Sequence, residues 1–418
     1  MSTTPAPLHL EVADLPVVLR FAPAAEPDRG TAAIAAQLAE LWEPLVTRSP
    51  RDPAPAGITL RVGITGETGD DADGADTIQL PPNFADSSYI VSGRVTTALI
   101  EHLIGERLLL HAGAVDLPGV GIVMVTGPSG AGKSTATTVL AASGGYITDE
   151  LTILDPRSLQ IDAYPKPLSH VYTIDGARIG KRDFTMAEVG IDRVLTGRVG
   201  APSVFLLVNR DQDADGVTFE TMRLLEAVAE ISGQSSSIWL IPNPLGTLVR
   251  LLQQTGGLLR ATYAESADLP AALAEHLRGP DDAPAGAPTG ASFECDIVDP
   301  PAHLRPAEAP DPSVLGSDSA AGTAGAPLRL LPFHQAVWTA DGCVVLTGGD
   351  APTAVVLEGL SALLWSLLLE ADEDADAPAD LTEADLLALL RVEIGDHPDS
   401  ETVLTEVLAL LRSHALLV

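Results

Sequence analysis

The chain has 418 residues, and its 57 acidic side chains outnumber the 24 basic ones, which gives a formal net charge of −33. This charge argues against a nucleic-acid partner, because phosphate backbones are bound by basic surfaces, and no apolar run is long enough to span a bilayer. The length predicts two or three domains. The two cysteines, Cys295 and Cys343, indicate neither a disulfide framework nor a zinc site.

The first 106 residues predict a small α+β region that packs on a larger core. Strand patterns occur at Leu8–Val12, Val17–Ala22 and Ile58–Ile64, and helical patterns at Ala32–Val46 and Ser92–Glu106. The N-terminal residues lack the basic and apolar stretches of a signal peptide. We therefore expect a cytoplasmic protein.

The stretch GPSGAGKST, Gly127 to Thr135, fits the phosphate-binding P-loop pattern. An apolar strand pattern precedes it at Val120–Thr126, and a helical pattern follows at Ala136–Ala142, which is the context that this motif needs. Its backbone N–H groups can converge on phosphate oxygens at a helix N-terminus. The predicted nucleotide-binding residues are Gly127, Pro128, Ser129, Gly130, Ala131, Gly132, Lys133, Ser134 and Thr135.

Two acidic residues and a histidine near this loop are candidates for chemistry. Asp149 and Glu150 end a short strand that we expect next to the P-loop strand. One carboxylate could hold magnesium and the other could accept a proton from an attacking hydroxyl; the alternative is a solvated acidic turn. His111 falls in a predicted strand, Leu108–Val115, where it could hydrogen-bond a carboxylate, contact the γ-phosphate or serve a structural purpose only.

The chain has only three lysines, and all follow the start of the P-loop: Lys133, Lys166 and Lys181. Lys166 lies in YPKPL, Tyr164 to Leu168, where two prolines favour a rigid extended loop. Lys166 and Lys181 are therefore candidates for phosphate or substrate contacts, and a plain surface turn is the alternative for YPKPL.

The rest of the chain predicts a core that extends over 107–278, a linker and a C-terminal domain. A strand is expected at Val204–Val208, and helices at Leu224–Ile231, Thr247–Leu259 and Ala271–Leu277. Residues 279–327 are rich in Pro, Ala, Gly and acidic side chains, which is typical of a disordered linker, although Phe293–Val298 could order locally. Residues 328–418 predict three strands, at Phe333–Thr339, Cys343–Thr347 and Thr353–Leu357. Three helices are expected to follow, at Glu358–Glu370, Glu383–Glu393 and Glu401–His414. A Thr382/Asp385 capping box predicts the start of the second helix.

The segments LLLHAGAV, GIVMVTGPSGAGKST, GYITDELTIL and YPKPL together resemble the ATP-binding core of HPr serine kinase-like proteins, whose fold is related to phosphoenolpyruvate carboxykinase. The resemblance implies ATP and Mg²⁺ as cofactors. It also implies that Asp149 is the catalytic acid/base beside His111, that Lys133 contacts the outer phosphates, and that Ser134 and Glu150 bind the metal. HPr kinases proper carry two aspartates at the positions of Asp149 and Glu150, and the glutamate keeps the charge on a longer side chain. They also carry a downstream Glu-Ile-Arg-Gly-Leu-Gly block that this chain lacks, which leaves open both HPr as the acceptor and the phosphorylase activity. Related kinases often form rings, which leaves room for a homo-oligomer.

The C-terminal domain is similar to PqqD-like domains, winged-helix modules that bind leader peptides of ribosomally made, modified peptides. The similarity spans 328–418 and is carried by Trp338, the Asp341–Gly342 turn, the run VVLEGLSALLWSLLLEA and the final LLRSHALLV. It implies that a leader peptide adds as a strand to the exposed edge of the hairpin and rests on the first long helix. Leu364 and Trp365 of that helix are expected to face the core.

These patterns predict an α/β protein: an HPr kinase-like P-loop core with an N-terminal α+β region and a separate winged-helix domain. The expected function is transfer of the ATP γ-phosphate to a hydroxyl of a captured precursor peptide, with serine favoured and with neither nucleic acid nor membrane as a partner. Two alternatives stay open. The nucleotide core could be a switch in a peptide-binding protein without transfer activity, or the chain could be a small-molecule kinase.

Overall fold

The computed structural model describes residues 4–23, 30–47, 57–64, 77–81, 88–174, 177–278, 292–306, 327–373, 381–395 and 397–418. The protein is mixed α/β and is divided into two compact units. The first unit contains residues 1–221, 234–237 and 254–291, and the second contains 222–233, 238–253 and 292–418. None of the described helices is long and apolar enough to cross a membrane.

A four-stranded sheet with two helices forms the N-terminal part of the first unit. Its elements are β1 (Leu8–Val12), β2 (Leu15–Phe21), α1 (Thr31–Leu41), β3 (Ile58–Ile64), β4 (Thr77–Leu80) and α2 (Ser88–Leu103). The strands lie in the order β1-β2-β3-β4. Their core is continuous with that of the following segment, because Tyr164 is fully buried, contacts the ring of Trp42 and shares a hydrogen bond with Thr96.

The chain then builds the sheet that carries the P-loop. The elements are β5 (Leu108–Leu110), β6 (Gly113–Leu117), β7 (Gly121–Thr126), α3 (Lys133–Ala142), β8 (Gly145–Thr148), β9 (Thr152–Leu154), β10 (Ile161–Asp162), β11 (Leu168–Ile174), β12 (Ala177–Phe184), β13 (Val204–Arg210), β14 (Thr218–Thr221), α4 (Leu224–Gly233), α5 (Pro244–Thr255), β15 (Leu258–Tyr263) and α6 (Leu269–His276). Six of these strands form one mixed sheet in the order β14-β15-β13-β7-β6-β8. The strand before the P-loop, β7, is parallel to β13 and antiparallel to β6.

Two sequence predictions in this region are wrong in detail. The predicted strand Leu108–Val115 is two strands in different sheets, since β5 pairs with β9 and β6 pairs with β7. His111 therefore lies at the break between β5 and β6, not within a strand. The strand before Asp149, β8, is not the neighbour of β7, because the β6–β7 hairpin places β6 between them.

The second unit is built from three stretches of chain. Its own elements are β16 (Asp296–Val298), β17 (Phe333–Thr339), β18 (Gly342–Thr347), β19 (Ala354–Glu358), α7 (Leu360–Glu373), α8 (Glu383–Ile394) and α9 (Ser400–Ser413). The strands lie in the order β16-β17-β18-β19. Leu364 and Trp365 are buried in the core between this sheet and helices α7 to α9, as the sequence predicts, and the Thr382/Asp385 capping box is confirmed.

The opposite face of this sheet is covered by a segment from the middle of the chain. Helix α4 packs against β18 and β19, and Val337, Val344 and Leu346, which alternate with the residues of the α7–α9 core, are buried there. Helices α4 and most of α5 thus belong to the second unit, although the sequence places both in the 107–278 core. Helix α5 also ends at Thr255, and Leu258–Leu259, predicted as helical, begin β15.

Part of the predicted linker is ordered in this unit. Strand β16 pairs antiparallel with β17, so that Ile297 faces Val337 in the register. The linker residues 279–291 and 307–326 lie outside the described residues. Because β16 and β19 flank the β17–β18 hairpin, the predicted free edge of that hairpin is occupied, and β19 is an end strand of the described sheet.

One buried side chain, Gln335 on β17, joins the parts of the second unit. Its oxygen accepts the N–H groups of Leu245 and Gly246 at the start of α5, at 2.9 and 3.1 Å. Its amide nitrogen donates to Asn243 at 2.9 Å and to Asp299, which follows β16, at 2.7 Å. Gln335 is only 2% exposed, so each of these groups depends on it in place of water.

We expect Gln335→Ala to lower the free energy of unfolding by about 1–3 kcal/mol, because it leaves two N–H groups at the start of α5 without their acceptor. Gln254→Ala, an identical change at an exposed position on α5, serves as the matched control and should change stability little. Urea unfolding of the full chain measures both. Equal effects of the two substitutions would show that Gln335 does not join these segments.

Candidate functional site

The P-loop between β7 and α3 has the backbone that its glycines allow. Gly127 has φ 153°, and a Cβ there would lie 2.9 Å from the carbonyl oxygen of Val208. Gly132, the residue before α3, is left-handed with φ 89°. Side chains are disfavoured at both positions. The loop therefore curls directly into the N-terminus of α3, where N–H groups and the helix dipole favour an anion.

Lys133, the first residue of α3, is folded back over this loop. Its ammonium donates to the carbonyl oxygens of Gly127 at 2.7 Å and Pro128 at 3.2 Å. Only 8% of Lys133 is exposed. The lysine is thus held beside the loop amides, where an anion bound to those amides would meet its charge.

Lys166, in the loop between β10 and β11, contacts both candidate carboxylates. Its ammonium is 3.1 Å from Asp149 and 3.0 Å from Glu150. The side chains of Lys166 and Asp149 are 1% and 3% exposed, whereas that of Glu150 is 42% exposed. The hydroxyl of Tyr146 also donates to Asp149 at 3.0 Å. Asp149 is therefore fixed from two sides, and Glu150 is the more accessible carboxylate.

The electrostatics of this group follow from burial and pairing. Burial alone would lower the pKa of Lys166, but the charges of Asp149 and Glu150 outweigh it and raise that pKa well above its ordinary value. Burial acts to raise the pKa of Glu150, and the stronger combined effect of the neighbouring cations, Lys166 foremost, lowers it. At neutral pH Lys166 is therefore an ammonium and Glu150 a carboxylate, and the two are 3.0 Å apart.

His111 occupies the bend between β5 and β6, beside the P-loop. Its backbone N–H donates to Gln234 at 2.7 Å, and its carbonyl accepts from Thr126 at the end of β7 at 3.4 Å. Partial burial, and next the charge of Lys133, lowers the pKa of His111 below the usual 6.5. The imidazole is therefore neutral at pH 7 and can donate or accept a hydrogen bond in the cleft.

The predicted site residues meet in one cleft with a volume of about 380 Å³. All three lysines of the chain line it, together with both carboxylates and His111. The described residues that line it are His111, Ser129, Gly130, Gly132, Lys133, Ser134, Thr135, Asp149, Glu150, Lys166, Ser169 and Lys181. The other three predicted loop residues, Gly127, Pro128 and Ala131, form the loop backbone without lining the cleft.

Some residues of this site were not predicted from the sequence. Tyr146 supports Asp149 and also donates to the carbonyl of Lys166 at 3.2 Å. Ser169 lines the cleft from the β11–β12 hairpin, which no pattern indicated. Tyr146 is three residues before Asp149, and Ser169 is three after Lys166, so proximity in sequence was the available signal.

Oxygen ligands suitable for magnesium are present in the cleft. The hydroxyl of Ser134 and the carboxylate of Glu150 both line it, and hard oxygen donors are what Mg²⁺ prefers. Among the described residues, no group of three or more His, Cys, Asp or Glu side chains is arranged to hold a metal ion. The Ser134 hydroxyl and the Glu150 carboxylate fit an ion that takes its remaining ligands from phosphate and water.

No known family model matches this chain, and no curated protein matches it. The residues that line the cleft determine its chemistry. Their combination of loop amides, lysines and carboxylates suits the binding of a polyphosphate and a proton transfer close to it.

Lys166→Met should lower the free energy of unfolding by about 3 kcal/mol, because it leaves the buried Asp149 carboxylate without its cation. Lys181→Met removes the same charge from a half-buried position and is the matched control, with little expected change. Adding Asp149→Asn to Lys166→Met should restore part of the loss. Urea unfolding of all four chains tests this, and an undisturbed Lys166→Met protein would contradict it.

The ion pair of Glu150 should also make stability depend on pH. Because the pKa of Glu150 is lowered in the folded protein, its contribution is present above the ordinary value of 4.5 and is lost as the pH falls through the lower folded value. The difference in unfolding free energy between wild type and Glu150→Gln should therefore shrink below pH 4.5. Glu101→Gln, at an exposed position on α2, provides the control, and a pH-independent difference for Glu150→Gln would contradict this assignment.

Proposed function

We propose that the chain is an ATP-dependent kinase that transfers the γ-phosphate to a hydroxyl group, namely a serine of a ribosomally made peptide. The observation that supports this best is the single cleft in which the P-loop, three lysines and an acidic pair face one another. A nucleotide-binding loop alone accounts for binding. The acidic pair beside it adds a group that can accept a proton, which transfer requires.

The proposed roles follow the positions of the side chains. The loop amides and Lys133 bind the phosphates, and Ser134 and Glu150 would hold a magnesium ion that neutralises phosphate charge. The acceptor oxygen forms a bond to the γ-phosphorus while the bond from that phosphorus to the bridging oxygen breaks, and its electron pair leaves with ADP. Asp149 takes the hydroxyl proton, and neutral His111 orients the reacting groups. Lys166 and Tyr146 position Asp149.

We include in this proposal that the part of the first unit that carries the P-loop forms an HPr serine kinase-like core. In support, three of the sequence segments that carry the resemblance contribute charged or titratable side chains to the cleft. LLLHAGAV supplies His111, GYITDELTIL supplies both carboxylates, and YPKPL supplies Lys166. A kinase that uses ATP is expected to act in the cytoplasm.

The second unit is proposed as a PqqD-like winged-helix module. Three antiparallel strands, β17 to β19, followed by the helices α7 to α9, support that assignment. A leader peptide would add to β19, because β16 already occupies the outer edge of β17. Main-chain hydrogen bonds would supply affinity in this mode of binding, and side-chain pockets would supply selectivity.

One observation favours a second candidate, a nucleotide-dependent peptide-binding protein without transfer. Asp149 is 3% exposed and already interacts with Lys166 and Tyr146. A carboxylate held this firmly could be structural, and nucleotide binding would then act as a switch.

Incubation with γ-labelled ATP, Mg²⁺ and precursor peptides, followed by mass spectrometry, separates these functions. A peptide that gains one phosphate supports the kinase. ADP without a modified acceptor supports the switch, and a labelled metabolite indicates a small-molecule kinase.

Two variants test the proposed roles in that assay. Asp149→Asn should lower transfer by roughly 10²–10⁴-fold, because the proton acceptor is lost. ATP should still bind, because the P-loop and Lys133 are unchanged and Lys166 keeps Glu150 as an ionic partner. Lys133→Ala should weaken ATP binding itself, which calorimetry measures. Asp192→Asn, at an exposed position in the same unit, is the control and should retain full activity. Wild-type turnover by Asp149→Asn would remove Asp149 from the mechanism.

A further inference from the structure

Among the described residues that line the cleft, ammonium groups outnumber carboxylates, although the chain as a whole is strongly acidic. Among its lining side chains are three ammonium groups and two carboxylates, in a protein of net charge −33. Lys133 is held at the P-loop, and Lys166 is held between Asp149 and Glu150. The third ammonium, that of Lys181, lies on the side of the cleft formed by the β11–β12 hairpin. Neither the P-loop contacts of Lys133 nor the ion pairs of Lys166 account for its position there.

Lys181 is held in place by its surroundings. Its backbone is in β12, in register with Val171 of β11, and its ammonium lies 5.6 Å from the centre of the Tyr89 ring on α2. An aromatic face attracts a cation but leaves its donor hydrogens available on the other side. The ammonium is thus positioned at the cleft wall while it can still donate hydrogen bonds to a ligand.

The acidic pair connects the P-loop side of the cleft to the Lys181 side. Lys166, which contacts both Asp149 and Glu150, is two residues before β11, and β11 pairs with the strand that carries Lys181. The P-loop residues, the acidic pair and Lys181 all line the one cleft. A donor phosphate at the loop and an acceptor on the hairpin side would therefore meet near the acidic pair. Lys133 lies at the loop amides, where the phosphates of a nucleotide would bind, whereas Lys181 lies on the hairpin side of the cleft.

We propose that Lys181 binds a carboxylate of the acceptor, which places the acceptor hydroxyl near the acidic pair. The inference rests on the proposed kinase function and specifies its substrate class: a hydroxyl compound that carries a carboxylate close to the reacting oxygen. That carboxylate can belong to a free hydroxy amino acid or to an acidic residue beside a serine in a peptide. The transfer step itself is unchanged.

A pair of product-like probes tests the carboxylate directly without turnover. O-phosphoserine and O-phosphoethanolamine share the phosphate and the amine and differ only in the carboxylate. With MgADP present, we expect calorimetry to show that wild type binds O-phosphoserine roughly tenfold or more tightly than O-phosphoethanolamine, since an ammonium–carboxylate hydrogen bond is charge-assisted. The peptides acetyl-phosphoseryl-aspartyl-amide and acetyl-phosphoseryl-asparaginyl-amide form a second pair, in which only the side-chain carboxylate differs. Preference within the first pair indicates a free amino acid, and preference within the second indicates a peptide.

Matched variants assign the preference to Lys181. Lys181→Met should abolish the discrimination, and Lys181→Arg should keep most of it. Arg182→Met is the control, because it removes one cation from the same strand, where Arg182 stacks on Phe184 and lies 3.7 Å from Glu188 without lining the cleft. Discrimination should survive in that variant.

The outcomes also separate this inference from the proposed function. Equal affinity within both probe pairs, absence of binding by all four probes, or a preference that survives Lys181→Met would overturn the carboxylate subsite. Carboxylate-dependent binding without any γ-phosphate transfer would keep the subsite and reject the kinase. Transfer to acceptors regardless of a carboxylate would keep the kinase and reject the subsite.

Discussion

The geometry of the cleft depends on the ion pairs that the buried ammonium of Lys166 forms with Asp149 and Glu150. A buried cation is tolerated only with partners, and a buried carboxylate has the same requirement. Lys166 and Asp149 therefore fix each other, and Tyr146 ties both to β8 through bonds to the carboxylate and to the Lys166 carbonyl. The prolines on either side of Lys166 limit how far this loop can move. The acidic pair is thus held in the cleft that the P-loop lines.

The sequence anticipated the local features of this site better than its topology. The P-loop and the adjacent strand and helix follow from a long motif with strict backbone demands, so they could be predicted closely. The break at His111 could not, because LLLHAGAV reads as one apolar run and only pairing with two different sheets divides it. The place of β8 was missed for a related reason. Strand order depends on long-range pairing, and one return strand after a helix does not specify its neighbour.

The second unit shows the same limit at the level of domains. Its strands, its helices and the capping box at Thr382 were predictable from alternation, periodicity and a cap. The sequence gives no sign that α4 and α5, which lie between β14 and β15, belong with it. The sequence of an amphipathic helix predicts that one face is apolar, but it does not predict which surface packs against that face. Gln335 shows how specific that pairing is, since one buried amide connects β17, the start of α5 and the residue after β16.

The confinement of every lysine to a single cleft has a consequence for handling this protein. Amine-directed reagents such as succinimidyl esters can modify only these three side chains and the terminal amine. Lys133 and Lys166 are almost wholly buried, so random labelling or amine coupling to a sensor surface would act on the terminal amine and on Lys181 in the cleft. Attachment through an introduced cysteine avoids modifying the cleft. By the same reasoning, acylation of lysine in a cell would fall on this cleft alone.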